Sequence, residues 1–302
     1  MVEDSESQSQ KKRVLLTGAT GFLGSHLAHK LLQAGHQLII LKRSFSNTQR
    51  LQGVLPQIAS YNLDECDLET PFRELGQIDA VIHTATLYGR KNEYFAELFE
   101  ANTVFPLCLL QAAIKFNVPT YVNTDTPLHK QLNFYALSKA QFREWGQSLA
   151  EMGKICFVNI KLEQMLGAGD DDSKFPAFVI TKCLSSPQLD LTIGKQKRDF
   201  IHIDDVLSAY ELLLHNAPLL NSAYQEYELG MGKAISIRDF VELVKQLTNS
   251  SIKLNFGALP YREGEVMYSE ANLAALEALG WAPKIELEEG LRQAIAWYAK
   301  NK

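Results

Sequence analysis

The stretch Val14-Leu15-Leu16-Thr17-Gly18-Ala19-Thr20-Gly21-Phe22-Leu23-Gly24 decides the fold. A short apolar run leads into three glycines, and a helix-period stretch over 22–34 leads out of them. Glycine serves three purposes in such a loop. It permits a tight turn, it lets backbone N–H groups approach a pyrophosphate, and it allows the following helix to pack closely on the strand. The spacing G-x-x-G-x-x-G is one residue longer than the general dinucleotide fingerprint, but it has the required strand before it and helix after it.

Outward from this loop, apolar runs at 38–41, 80–82, 121–122 and 155–160 read as buried strands. Helix-length stretches at 93–116 and 134–152 lie between them. The alternation predicts an α/β fold, a Rossmann-type doubly wound parallel sheet covered on both faces. Beyond about residue 165 the rhythm loosens into an acidic Gly-rich loop at 167–172, a helix near 174–184 and scattered short elements. An amphipathic helix over 287–298 closes the chain. The expected organisation is a dinucleotide-binding domain over 1–164, to which the chain returns at about 198–233. A smaller C-terminal α/β substrate lobe takes 165–197 and 234–302.

Composition excludes several classes. The 302 residues carry 30 Lys+Arg against 35 Asp+Glu, a net charge of −5 that argues against a nucleic-acid binder. Apolar residues at 46% supply a real core. No apolar run approaches the ~18 residues of a membrane span. The four cysteines, at 66, 108, 156 and 183, stand apart in a pattern of neither disulfides nor zinc ligands. A cytoplasmic protein with a frayed polar tail at 1–10 is expected. His26 and His29 share a helix face without a third ligand, and Asp170-Asp171-Asp172 reads as a solvated loop, so no metal is expected. Asp204 and Asp205 read as the cap and acidic first turn of a helix.

The second chemical signal is Tyr135-Ala-Leu-Ser-Lys139. An i,i+4 pair shares one helix face. An ammonium beside a phenol favours the phenolate, and a helix N-terminus capped by Asn133 adds to this. Such a phenol can give a proton to a carbonyl oxygen or take one from an alcohol. A hydroxyl-bearing run, Asn123-Thr124-Asp125-Thr126, ends the preceding strand.

Together with Asp67-Leu68, the run Asp79-Ala-Val-Ile-His-Thr-Ala-Thr86, Asn102, the stretch Lys197-Arg-Asp-Phe-Ile-His-Ile-Asp-Asp-Val206 and Arg262-Glu-Gly-Glu265, these motifs carry a resemblance. From about 13 to 300 the chain resembles an extended short-chain dehydrogenase/reductase of the nucleotide-sugar branch. The compact run before Tyr135 is most similar to that of the CDP-abequose and CDP-paratose synthases, which reduce the 4-keto group of a CDP-3,6-dideoxyhexose. The resemblance implies that Thr124 hydrogen-bonds the substrate carbonyl, Tyr135 is the general acid and Lys139 holds the nicotinamide ribose. It implies a cofactor site at Gly18, Thr20, Gly21, Phe22, Leu23 and Gly24, at Lys42, Arg43 and Ser44, and at Asp67 and Leu68 near the adenine. Thr84, Ala85, Thr86 and Asn102, with Tyr135 and Lys139, complete that site.

Thr126, Gln164, Arg198 and Arg262 are the implied substrate contacts, with the two guanidinium groups on the diphosphate. A homodimer in the cytoplasm, engaged in surface polysaccharide synthesis, is implied as well. Two departures stand out. Gln164 replaces the family's Asn, and Thr126 replaces the Glu that 4,6-dehydratases use as a base, which disfavours dehydration. A nucleotide-sugar 4-epimerase with retained NAD and a non-catalytic dinucleotide sensor are the alternatives.

The cofactor form is read from the residues themselves. An NAD enzyme of this fold places an acid ~20 residues past the glycines, on the ribose 2′-OH. No acid occurs between Glu6 and Asp64, and Lys42-Arg43-Ser44 stands at the second strand's end. NADP(H) is therefore expected, its 2′-phosphate held by charge-assisted hydrogen bonds.

Overall fold

A computed structural model describes residues 11–90, 93–216 and 222–301. The tail expected at 1–10 lies outside the described residues. The chain opens as β1 (Arg13–Thr17), α1 (Phe22–Gln33), β2 (Gln37–Lys42), β3 (Ala59–Asn62), α2 (Thr70–Leu75) and β4 (Ala80–His83). It continues through α3 (Phe95–Phe99), α4 (Phe105–Lys115), β5 (Thr120–Asp125), α5 (Phe134–Glu151) and β6 (Cys156–Leu162). Then come β7 (Gln164–Leu166), α6 (Phe175–Ser185), β8 (Gln188–Leu191), β9 (Lys197–His202), α7 (Ile203–Asn216) and β10 (Tyr224–Leu229). The last elements are β11 (Ala234–Ser236), α8 (Ile237–Leu247), β12 (Lys253–Phe256), α9 (Ala274–Glu277) and α10 (Leu287–Asn301).

The central sheet has seven strands in the order β10-β6-β5-β4-β1-β2-β3. Its core order, 3-2-1-4-5-6, is that of the dinucleotide-binding doubly wound sheet expected from the sequence. The pairs β1–β2, β2–β3, β1–β4 and β4–β5 are parallel, with Thr17 opposite His83 and Lys42 opposite Asn62. β3 is Ala59-Ser-Tyr-Asn62, a half-exposed edge strand with no apolar run to announce it.

The single helix expected over 93–116 runs without a gap from Phe95 to Lys115, but its hydrogen bonding changes along the way. Between α3 and α4 the backbone opens into a π-helical turn at Glu100–Val104. Pro106 supplies a physical reason, since it has no N–H to donate and its ring crowds the carbonyl four residues back.

Two compact units partition the chain. The first is drawn from Met1–Asn123, Gln141–Val158 and Glu211–Gln225. Its core packs Leu15, Ile39, Val81, Leu109, Tyr121 and Phe157 with their neighbours. Within it Tyr121 stacks on Phe157 at 5.6 Å, and Phe142 meets both rings edge-on. The second unit, Thr124–Ala140, Asn159–Tyr210 and Glu226–Lys302, has a separate core around Phe200, Phe240, Val244 and Leu291. A three-stranded sheet, β11-β9-β7, and the parallel pair β12–β8 belong to it. Among the described residues, no helix is long and apolar enough to cross a membrane.

The aromatic stack sets a measurable stability contribution. Phe157 is 0% exposed and stacks on two tyrosines, Tyr121 and Tyr224. Phe157→Ala should destabilise by ~3–5 kcal/mol and lower the melting temperature by roughly 6–20 °C. Thermal unfolding followed by circular dichroism measures this, and a change of only a degree or two would contradict the packing described.

Candidate active site

The glycine loop is shaped by clearances that only hydrogen allows. Gly18 has φ +74°, and a Cβ there would lie 2.6 Å from both the Ala85 nitrogen and the Thr84 hydroxyl. A Cβ on Gly24 would fall 2.1 Å from the Gly18 carbonyl oxygen, so α1 starts hard against the loop. The β1 end is locked beneath it. Thr17 Oγ1 lies 2.7 Å from His83 Nδ1, and Thr84 Oγ1 donates to the Thr17 carbonyl at 2.8 Å. Helix α1 begins at Gly21 with no capping side chain and no acid in its first turn, which contains Phe22, Leu23 and Gly24. Unsatisfied N–H groups at a positive helix end, approached over bare glycine backbone, suit a dinucleotide pyrophosphate. Thr20 and Phe22 are half-buried beside them.

The remaining cofactor candidates in this unit have identified neighbours. The Thr86 hydroxyl donates to Asn102 Oδ1 at 3.2 Å, and the Asn102 amide accepts from Leu87 N and donates to Leu87 O, both at 2.8 Å. Asn102 lies in the π-helical turn and so fixes the loop after β4. Asp67 accepts from Glu69 N at 2.9 Å and pairs with Arg73 at 3.1 Å, contacts that hold its carboxyl below the usual range. Leu68 packs against the core. At the β2 end, Lys42 Nζ donates to Asn62 Oδ1 at 2.5 Å, and Arg43 stacks over the Phe45 ring at 4.8 Å. Ser44 donates through both N–H and O–H to the Asp64 carboxylate, at 2.7 and 2.5 Å. An acid therefore does reach this strand end, from the loop after β3, where sequence spacing alone showed none.

Thr124, Tyr135 and Lys139 all belong to the second unit. Asn133 caps α5 as expected, its Oδ1 accepting from Ala136 N at 2.8 Å. Tyr135 is thereby placed in the first turn, half-buried. Lys139, one turn on, is only 2% exposed. Burial pushes its pKa down to about 8 from 10.5, and the Asp125 carboxylate pulls the other way. Asp125 is itself anchored, accepting from Thr126 N at 2.7 Å and from Asn159 Nδ2 at 3.2 Å. Asn159 also donates to Glu226, which binds Lys161 at 2.5 Å. The Thr124 hydroxyl lies 2.6 Å from the hydroxyl of Tyr210, a residue 1% exposed on α7. Either hydroxyl can donate to the other, and the contact holds Thr124 Oγ1 in place.

The expected substrate contacts are spread through the same unit. Thr126 is buried and its Oγ1 accepts from Leu128 N at 3.3 Å. Gln164 is exposed at the start of β7, and Arg262 is exposed on a turn closed by the Glu265 N–H to its own carbonyl at 3.1 Å. Arg198 donates to Glu265 Oε1 at 2.6 Å, both side chains being under one-fifth exposed. Asp199 instead accepts three backbone N–H bonds, from Met231, Gly232 and Ala271.

Asp204 and Asp205 lie in the first turn of α7 as expected, and Asp205 in addition accepts from Lys284 N and Ile285 N at 3.0 and 2.9 Å. His26 and His29 bond the carbonyls of Phe22 and Arg50, and no metal-holding group occurs among the described residues. Sequence reasoning missed Tyr210, which reads as a core aromatic. It also missed Glu163, buried beside Gln164, bonded by the Ser269 hydroxyl at 2.6 Å and pushed by burial up to about 7.

A family model described as the NAD dependent epimerase/dehydratase family matches residues 14–230. A CDP-abequose synthase from Salmonella muenchen is 33% identical over 94% of this chain and 97% of the relative. Another CDP-abequose synthase, from Salmonella typhimurium, is 34% identical over 94% of this chain and 98% of its own length. The crystal structure of a UDP-glucose 4-epimerase with UDP-glucose from Thermotoga maritima shares the fold. It has a TM-score of 0.85 at 22% identity, covering 96% of this chain and 99% of that one.

The environment of Lys139 generates a titration experiment. Because its folded value lies below 10.5, the folded chain holds fewer protons on this group than the unfolded chain between about pH 8 and 10.5. Its contribution to stability therefore rises with pH across that window. With lysine labelled at 13Cε, NMR should find one midpoint near 8. In Asp125→Asn that midpoint should fall further, since the carboxylate is the one group holding it up. A midpoint above 10, or one unmoved by Asp125→Asn, would contradict the assignment.

Proposed function

The chain belongs to the NAD dependent epimerase/dehydratase family, and from that premise we propose that it reduces the 4-keto group of a nucleotide-linked deoxyhexose with NADPH. The substrate proposed is a CDP-4-keto-3,6-dideoxyhexose. The observation that carries this reading is the buried Lys139 ammonium one helical turn beyond Tyr135, with the Thr124 hydroxyl at the end of β5. The name of the two Salmonella relatives, CDP-abequose synthase, supports the choice of sugar and base.

Bound NADPH supplies the hydride. The chain's own residues do the rest. Thr124 donates to the substrate carbonyl oxygen, held in position by its hydrogen bond with the Tyr210 hydroxyl. Tyr135 gives its phenolic proton to that oxygen as negative charge develops there. The Lys139 ammonium stabilises the phenolate left behind and binds the nicotinamide ribose. Gly18, Thr20, Gly21, Phe22, Leu23 and Gly24 line the pyrophosphate. Asp67 and Leu68 would stand near the adenine, and the 84–86 backbone and Asn102 would line the cofactor. Lys42 and Arg43 bind the 2′-phosphate, with Ser44 beside them. Thr126, Gln164, Arg198 and Arg262 receive the nucleotide sugar, and Thr126 stands where a dehydratase would need a carboxylate.

The proposal assigns 1–164, with the return at 198–233, to the cofactor and the rest to the sugar nucleotide. It makes the protein a cytoplasmic homodimer serving surface polysaccharide synthesis. The exposed Phe95, Phe99, Trp145 and Met152, on α3 and around α5, support a pairing of two copies.

The test is a panel of CDP-, dTDP-, GDP- and UDP-linked 4-keto sugars with NADPH, the products identified by NMR. A CDP-linked 4-keto sugar should be consumed as NADPH is oxidised. Tyr135→Phe should lower kcat by ~10²-fold or more while cofactor affinity changes little. Arg198→Ala should raise KM, since a charge-assisted contact contributes ~1.5–3 kcal/mol. Near-normal turnover by Tyr135→Phe would overturn the chemistry. Interconversion of two nucleotide sugars with tightly held NAD and no net oxidation would identify an epimerase instead.

A further inference from the structure

The parallel register of β2 and β3 pairs Lys42 with Asn62, and two residues further on it brings Ser44 beside Asp64. The contact made there is bidentate. Asp64 Oδ1 accepts from Ser44 N at 2.7 Å, and Oδ2 accepts from Ser44 Oγ at 2.5 Å. Those hydrogen bonds hold the Asp64 carboxyl below its ordinary value, with a smaller push from Lys42. Arg43 stands next to this pair on the exposed Phe45, 71% exposed, so its guanidinium is carried at the surface. A backbone N–H, a hydroxyl and a guanidinium at one strand end form the donor set that a phosphate monoester takes. Two of its three members, the Ser44 N–H and O–H, are already held by a carboxylate in the manner of two phosphate oxygens.

We propose that Asp64 is a resident anion in the 2′-phosphate subsite and thereby a determinant of the preference between phosphorylated and unphosphorylated cofactor. The 2′-phosphate of NADPH must displace this carboxylate to reach the Ser44 donors, and its charge opposes the phosphate at close range. A free ribose 2′-hydroxyl meets no such opposition. Asp64 therefore limits how far the enzyme can favour NADPH, whereas Arg43 and Lys42 set the attraction. The inference rests on the reading of Lys42, Arg43 and Ser44 as the 2′-phosphate site. It extends that reading to a residue outside the basic run.

The experiment is calorimetric binding to the full chain, without turnover, using two adenosine probes. Adenosine 2′,5′-bisphosphate carries the 2′-phosphate and adenosine 5′-monophosphate lacks it. Asp64→Asn, which keeps the side chain's size and removes its charge, should bind the bisphosphate about tenfold more tightly. Its affinity for the monophosphate should stay within twofold of wild type. Adding Ser44→Ala to Asp64→Asn should forfeit at least threefold of the gain, because the freed hydroxyl is then missing. An Asp64→Asn protein that binds the bisphosphate no more tightly than wild type overturns the inference, as does an equal gain for both probes. The underlying NADPH reading fails on a different number, the wild-type ratio between the probes, so the two failures are told apart.

Discussion

An ammonium group buried to 2% exposure, on Lys139, is the constraint from which the chemistry proposed for this protein follows. Taking a lysine charge out of water is expensive unless an opposite charge or hydrogen bonds offset it. The offset comes from Asp125, which ends β5 and is held by the Thr126 N–H and by Asn159. Asn159 is in turn bonded to Glu226, so the counter-charge is tied to the next strands along. The result is a lysine that stays largely protonated at neutral pH yet sits close enough to neutrality for its environment to matter. A phenol one helical turn away is the natural group to use such a charge.

A second constraint governs the other compact unit. The loop between β1 and α1 closes so tightly that Gly24 leaves no room for a Cβ against the Gly18 carbonyl. Thr17, His83 and Thr84 hold the strand ends under that loop through short hydrogen bonds. Backbone donors are thus presented at fixed positions, with no acidic side chain in the first turn of α1 to compete for them. The same economy is absent at the end of β2, where Asp64 already occupies the Ser44 donors.

What the sequence disclosed is what local geometry decides. The β1–loop–α1 unit, the Asn133 cap and the one-turn spacing of Tyr135 and Lys139 all involve residues within a few positions of one another. β3 stayed silent because an edge strand that is half-exposed needs no apolar run. The π-helical turn in the long helix after β4 turned on the detailed response of the backbone to Pro106. The contacts that reassign side chains are all long-range. Ser44 meets Asp64 across a β-register, Thr124 meets Tyr210 from another strand–helix unit, and Arg198 meets Glu265 rather than its sequence neighbours Asp199 and Asp205. Asp205, in the acidic first turn of its own helix as read, also accepts N–H groups from about eighty residues later. Residue type and spacing nominated the groups proposed to carry chemistry, and only the tertiary pairing determined what each is bonded to.

The central claim is that hydride passes from the nicotinamide to C4 of the sugar and stays there. Incubation of the wild-type protein with a CDP-4-keto-3,6-dideoxyhexose and NADPH carrying deuterium at both C4 positions tests it directly. The account predicts one deuterium at C4 of each product molecule, seen by NMR as loss of the H4 signal, with one equivalent of cofactor oxidised. Product with full hydrogen at C4, or turnover without net oxidation of the cofactor, would contradict it.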